Sequence, residues 1–211
     1  MASKIHPTDS RQHIFTSESV TEGHPDKVCD YIADSILDAH LAGDPRSRVA
    51  CEALAKDNLV VVAGEISSRH EVNYEQVVRE AIKEIGYTDL AEPFCAHSIT
   101  FLRRLSAQAP EISQGVTPAA DAHLDQGAGD QGMTFGFATS ETTELLPLPI
   151  VLAHRITRCL AEARRSGLVP WLRPDGKSQV SVLYEENEPK AVTDIVVSTQ
   201  HAAYIQPDEI R

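Results

Sequence analysis

From Asp26, the run DKVCDYIADSILDAHLAGD places Val28, Ile32 and Ile36 at four-residue steps, with Cys29, Ala33 and Leu37 beside them. This spacing makes one helical face apolar and predicts a helix closed by Gly43, Asp44 and Pro45. The runs VACEALA and LVVVAGEIS are rich in β-formers and are separated by Lys56, Asp57 and Asn58, so they read as a hairpin with a tight turn. Asn73 precedes a second helical stripe of Val77, Val78, Ala81, Ile82 and Ile85, and with Gln76 three residues on it forms a capping signature. HSITFLRRL is a further strand. MTFGFAT reads as a strand, PLPIVLAHRITRCLAEARRSG as a helix stopped by Gly167, and QVSVLYE and AVTDIVVSTQ as two more strands. Between these elements, residues 106–132 form a long segment rich in Gln, Gly, Pro, Ala and Asp, and loops of such length are uncommon without a task. A further helical start is expected after Pro207.

The order of strands and helices loosely repeats, which points to an α+β fold of two units, each a sheet covered by helices. At 211 residues and 42% hydrophobic content the chain can bury such cores. It carries neither the apolar run of a signal peptide nor that of a membrane span. Cys29, Cys51, Cys95 and Cys159 are widely spaced without a CxxC pair, so small buried side chains in a reducing cytoplasm are expected rather than a zinc site or disulfides. Nineteen basic residues face 31 acidic ones, for a net charge of −12, which disfavours nucleic acid and anionic membranes as partners. A polyanionic ligand such as a nucleotide would need metal cations and a few placed lysines or arginines.

The richest chemistry lies in SESVTEGHPDKVCD, residues 17–30. Pro25 turns His24 away from helical geometry and suits the first helical position, leaving Asp26 and Lys27 in the first turn. Open backbone N–H groups there can meet phosphate, Asp26 can hold magnesium, and His24 projects beside them. Equally, Asp26 complements the helix dipole and His24 is a surface loop residue; these residues alone leave both readings open. His-Pro-Asp also occurs in J-domain cochaperones, but there it joins two helices, whereas here the helix leads into strands. In GAGDQGMTFGFAT, glycines flanking Asp130 allow close approach of backbone to a ligand, and in PWLRPDGKSQV a turn at Asp175, Gly176 and Lys177 presents an acceptor and a cation.

Taken together, SESVTEGHPDK, CEA, GEIS, ISQGV, GAGDQGMTFG, HRI, PWLRPDGKSQV and VSTQH resemble, in order and spacing, the methionine adenosyltransferases (S-adenosylmethionine synthetases), from about His13 to Arg211. The resemblance implies that ATP and L-methionine form S-adenosylmethionine, with the tripolyphosphate cleaved to phosphate and diphosphate. It implies His24 as the catalytic group beside ATP, Asp175 and Lys177 as ATP contacts, and Glu65, Gln114 and Asp130 as methionine contacts. Asp26 would hold Mg2+ and Glu52 K+. It implies repeated sheet-plus-helix domains, here a tail 1–12, an amino-terminal domain 13–112, a mobile active-site loop 113–125 and an incomplete central domain 126–211. Family members continue with a third domain and with glycine-rich segments that clamp the triphosphate. The 211 residues are therefore expected to be a fragment, inactive alone, of a cytoplasmic homodimer or tetramer.

Overall fold

The computed structural model describes residues 11–107 and 133–210. The first two strands met along the chain do not pair with each other. Strand β1 (Gln12–Val20) is followed by helix α1 (Pro25–Gly43), the hairpin β2 (Arg48–Lys56) and β3 (Leu59–Ser67), helix α2 (Tyr74–Ile85) and β4 (Thr100–Ser106). Helix α3 (Leu148–Arg165), the hairpin β5 (Leu172–Glu185) and β6 (Glu188–His201), and a 3-10 turn at Pro207–Glu209 complete it. The fold is α+β. Two three-stranded sheets form, one ordered β1-β5-β6 and one β2-β3-β4.

The chain divides into two compact units. The first comprises Met1–Val28, Lys83–Asp89 and Phe137–Arg211, the second Cys29–Ile82 and Leu90–Gly136. In the first, β1 pairs antiparallel with β5 over its whole length, from Gln12 opposite Glu185 to Val20 opposite Lys177. Alternate β5 residues Val180, Val182 and Tyr184 are buried with Ala153 of α3, and Leu148, Leu152 and Ile156 pack against them. Glu186 and Asn187 both take positive φ between β5 and β6, the backbone that a two-residue hairpin turn needs.

In the second unit, Ile32 and Ile36 of α1, Val78, Ala81 and Ile82 of α2, and Val60 and Val62 of β3 are fully or almost fully buried. The two helical stripes expected from the pattern are thus the buried faces, and alternate residues of β3 are buried with them. The Asn73 cap forms, its Oδ1 accepting from the Gln76 N–H at 3.2 Å. The β2–β3 turn falls at Asp57 and Asn58, with Lys56 opposite Leu59, and β4 joins β3 in parallel.

Four expectations need correction. β1 is absent from the sequence-based elements because QHIFTSESV is mostly polar; it forms by pairing along β5 rather than by burying an apolar face of its own. MTFGFAT is not a strand: Met133, Phe135 and Phe137 are 75–87% exposed, and those residues pair with no strand among the described residues. Asp175, Gly176 and Lys177 do not form a turn but lie inside β5: Lys177 pairs with Val20 of β1 and Ser198 of β6, Gly176 pairs with Thr199 of β6, and Asp175 sits at the irregularity just before them. Of the four cysteines only Cys95 is buried; Cys29 and Cys51 are half-buried, Cys159 is exposed, and none is in a disulfide. Among the described residues, no helix is long and apolar enough to cross a membrane.

Candidate functional site

Residues 21–24 form a short link between β1 and α1, and their backbone explains where His24 points. The Thr21 N–H donates to the Gly176 carbonyl at 2.8 Å, and its hydroxyl donates to the Pro174 and Gly176 carbonyls at 2.7 and 3.2 Å. The Gly23 N–H donates to Pro174 at 3.2 Å. A Cβ at Gly23 would stand 2.3 Å from the Pro174 carbonyl carbon, so only glycine permits this contact. The link between β1 and α1 is therefore stitched to β5 more than 150 residues later, and His24 and Asp26 reach the same place as Asp175 and Lys177.

At the start of α1, His24 takes the capping role. Its carbonyl accepts from the Val28 N–H at 2.9 Å and its ring Nδ1 accepts from the Asp26 N–H at 3.3 Å. One of the open N–H groups expected to face phosphate is thus covered by the histidine itself. With Nδ1 as acceptor, the neutral ring carries its proton on Nε2, ready to donate outward. The Asp26 carboxylate is 89% exposed and only 3.8 Å from His24 Nδ1. Lys27 turns back, its Nζ donating to the Val20 carbonyl at 2.8 Å.

On β5, Asp175 is half-buried, and burial holds its carboxyl above the ordinary carboxylate range although nearby His24 and the Gly176 N–H pull it down. Lys177 Nζ pairs with Glu18 Oε2 across the β1–β5 ladder at 2.7 Å. Behind them the HRI segment is structural: His154 Nδ1 and the Ser19 hydroxyl share a 2.7 Å hydrogen bond, and Ser19 also meets Thr157 at 3.2 Å. Partial burial, with the charges of Lys27 and Arg158, holds His154 below its usual value.

Glu52 and Glu65 belong to the second unit. Glu52 lies opposite Ala63 and Glu65 opposite Ala50, so the antiparallel register puts both carboxylates on one face of the β2–β3 pair. Glu52 is exposed and Glu65 partly so. Between them Gly64, at φ +136°, approaches Ala50 so closely that an added Cβ would lie 2.0 Å from its carbonyl oxygen. The same face carries Leu54, Val61 and Leu102 in one row, with Leu54 and Leu102 about half exposed. Gln114 and Asp130, and the loop 113–125, lie outside the described residues.

The donor sets suit hard cations in part. Asp26 offers an open carboxylate of the kind that binds magnesium together with phosphate oxygens and water, and Glu52 offers another open carboxylate for potassium. Among the described residues no group of three or more His, Cys, Asp or Glu side chains is placed to hold a metal ion.

Sequence reasoning missed the groups that fix this loop. Tyr87 and Arg164 lie in no motif, Thr21 and Glu22 lie inside SESVTEGHPDK without a role that their spacing reveals, and the contacts of the four span from 64 to 153 positions of sequence.

Comparison with known proteins matches the S-adenosylmethionine synthetase N-terminal domain over residues 12–110 and the central domain over residues 125–211. The chain is 55% identical over 200 residues to the S-adenosylmethionine synthase of Gloeothece citriformis, covering 91% of the chain and 48% of that protein. It is 52% identical over 206 residues to that of Synechocystis sp., covering 94% and 48%, and 53% identical over 196 residues to that of Sorangium cellulosum, covering 93% and 46%. The chain spans about half the length of the curated relatives it matches.

Proposed function

The chain belongs to the S-adenosylmethionine synthetase family, and from that premise we propose that it supplies part of a methionine adenosyltransferase site, which joins L-methionine to the adenosyl group of ATP. In this reaction the neutral thioether sulfur attacks C5′ of ATP; the S–C5′ bond forms, the C5′–O bond breaks, and tripolyphosphate leaves with the electron pair, to be hydrolysed to phosphate and diphosphate. No base is required. The protein must align sulfur and carbon and offset the charge gathering on the leaving oxygen.

The observation that carries this reading is the stitching of residues 21–24 to Pro174 and Gly176, which gathers His24, Asp26, Asp175 and Lys177 at the start of one helix. His24 donates from Nε2 to the leaving oxygen, since its Nδ1 is already an acceptor. Lys177 exchanges Glu18 for phosphate, and Asp175 contacts the nucleotide from its half-buried position. Asp26 would hold magnesium and Glu52 potassium; bound there, the cations would neutralise the triphosphate. Glu65, Gln114 and Asp130 recognise the methionine ammonium and its neighbours, which accounts for carboxylates in a site that also accepts a polyanion.

The exposed row Leu54, Val61 and Leu102 supports pairing of two copies across that face, a homodimer or a pair of such dimers. A cytoplasmic location fits cysteines kept out of disulfides.

The test is formation of S-adenosylmethionine from ATP and L-methionine, with magnesium and potassium, by the protein that carries this chain. Asp26→Asn and His24→Ala should each lower turnover by about 100-fold or more. Unchanged rates in either variant would overturn the role given to that residue.

A further inference from the structure

We propose that Tyr87 is a positioning residue for His24, acting through the peptide that joins Gly23 to His24. The inference rests on the reading of His24 as the group beside the nucleotide. Tyr87 stands two residues past the end of α2 and is 7% exposed. Its hydroxyl donates to the Gly23 carbonyl at 2.6 Å. The N–H of the same peptide unit belongs to His24 and donates to the Thr21 carbonyl at 3.1 Å. Both polar ends of that one peptide plane are therefore tied, and the plane sets the direction in which the His24 Cα–Cβ bond leaves the backbone.

A second tie closes a circuit through the same segments. Arg164 of α3 donates from Nη2 to Glu22 Oε1 at 2.6 Å and to the Ile85 carbonyl at 2.9 Å, and Arg165 Nε reaches Glu22 Oε1 at 3.0 Å. Glu22 precedes Gly23, and Ile85 lies two residues before Tyr87. The segment 85–87 thus grips the 22–24 link twice, once through a buried phenol and once through a shared arginine. By contrast the His24 ring is itself held loosely, by the Asp26 N–H at 3.3 Å. Its aim depends on the backbone, and the backbone on Tyr87.

A buried phenol needs some acceptor, so a purely structural tyrosine would satisfy the same rule. The two roles part at His24. In Tyr87→Phe the ring and its packing remain while the Gly23 carbonyl loses its donor. The measurement is the 15N spectrum of the His24 imidazole in the protein that carries this chain, alone and titrated with the magnesium complex of a non-hydrolysable ATP analogue. In the unsubstituted chain the neutral ring should be mainly the Nε2–H tautomer, and the analogue should shift its signals. Tyr87→Phe should move both nitrogen signals toward the average of the two tautomers and weaken analogue binding about fivefold, the effect of one lost neutral hydrogen bond. Val182→Ala, a loss confined to the packing of β5 on α3, should leave the His24 signals in place.

Unmoved His24 signals and unchanged affinity in a folded Tyr87→Phe chain overturn the positioning role. An analogue that binds without touching His24 in the unsubstituted chain, or does not bind, overturns the reading of His24 itself and the premise with it. Should Tyr87→Phe not fold, Glu22→Gln opens the same circuit from its other side and is judged by the same two readouts.

Discussion

At the scale of single residues, the tightest demand in the first unit is at Gly23, where backbone meets backbone. A methyl group there must displace the Pro174 carbonyl, which is itself accepting from Thr21 and Gly23. Gly23→Ala should therefore destabilise the chain by about 2–3 kcal/mol, the range of overpacking a filled site, as measured by urea denaturation. The neighbouring residues Thr21 and His24 should lose amide protection in hydrogen exchange. Asp175 is held above its ordinary range by burial, so the fold works against its charged form. GHPDK was legible because proline and a first-turn acid mark a helix start in any context. Tyr87 was not, since a tyrosine's acceptor cannot be read from its neighbours in sequence.

At the scale of elements, α3 illustrates how a helix finds its cap. Pro147 precedes the helix and offers no side-chain hydrogen bond, so the first-turn donors need a partner from elsewhere. Glu141 supplies it: its Oε2 accepts from the Leu148 N–H at 3.1 Å and from the Tyr184 hydroxyl of β5 at 2.6 Å, while Thr139 donates to Oε1 at 3.2 Å. Burial alone would raise the Glu141 carboxyl, but these three donors outweigh it and hold it below the ordinary range. Burial, and after it the same carboxylate, push the Tyr184 phenol far above its usual value. Glu141→Ala removes a cap and strands a phenol, and should cost about 2 kcal/mol in denaturant unfolding, against about 1 kcal/mol for the simpler cap Asn73→Ala. Helix limits and the β2–β3 hairpin followed from periodicity and turn residues. MTFGFAT had the right alternation for a strand and no ladder to join, which periodicity cannot reveal.

At the scale of the whole molecule, the acidic balance of −12 makes the response to acid informative. Glu22 is a partly buried carboxylate paired with Arg164 and Arg165. Burial pushes it up, but a backbone hydrogen bond and then Arg164 and Arg165 pull it further down, so its folded value is depressed below the ordinary 4.5. A depressed carboxylate contributes stability that is complete above its unfolded value and fades as pH falls through the folded one. Thermal unfolding followed from pH 6 to pH 2 should show stability falling from about pH 4.5 downward, and Glu22→Gln should be less stable at pH 6 yet show a shallower decline. Parallel curves for the two proteins would mean that Glu22 is not a source of the acid limb. Glu22 joins α3 to the link before α1, so loss of its charge loosens the first unit where the candidate site is built.

The sequence by itself determined the α+β class, three helices and the buried stripes of the first two, and the β2–β3 hairpin. All of these rest on short-range rules: side-chain period, turn residues, caps, and the chemistry of individual groups. Only the tertiary structure decided that β1 leaves its sequence neighbours to pair with β5, that Asp175 and Lys177 lie within a strand, and that the backbone before His24 is held by Tyr87 and Pro174. Those choices are made by partners 64 to 173 positions away, and a hydrogen bond of that reach leaves no periodic trace in the chain that forms it.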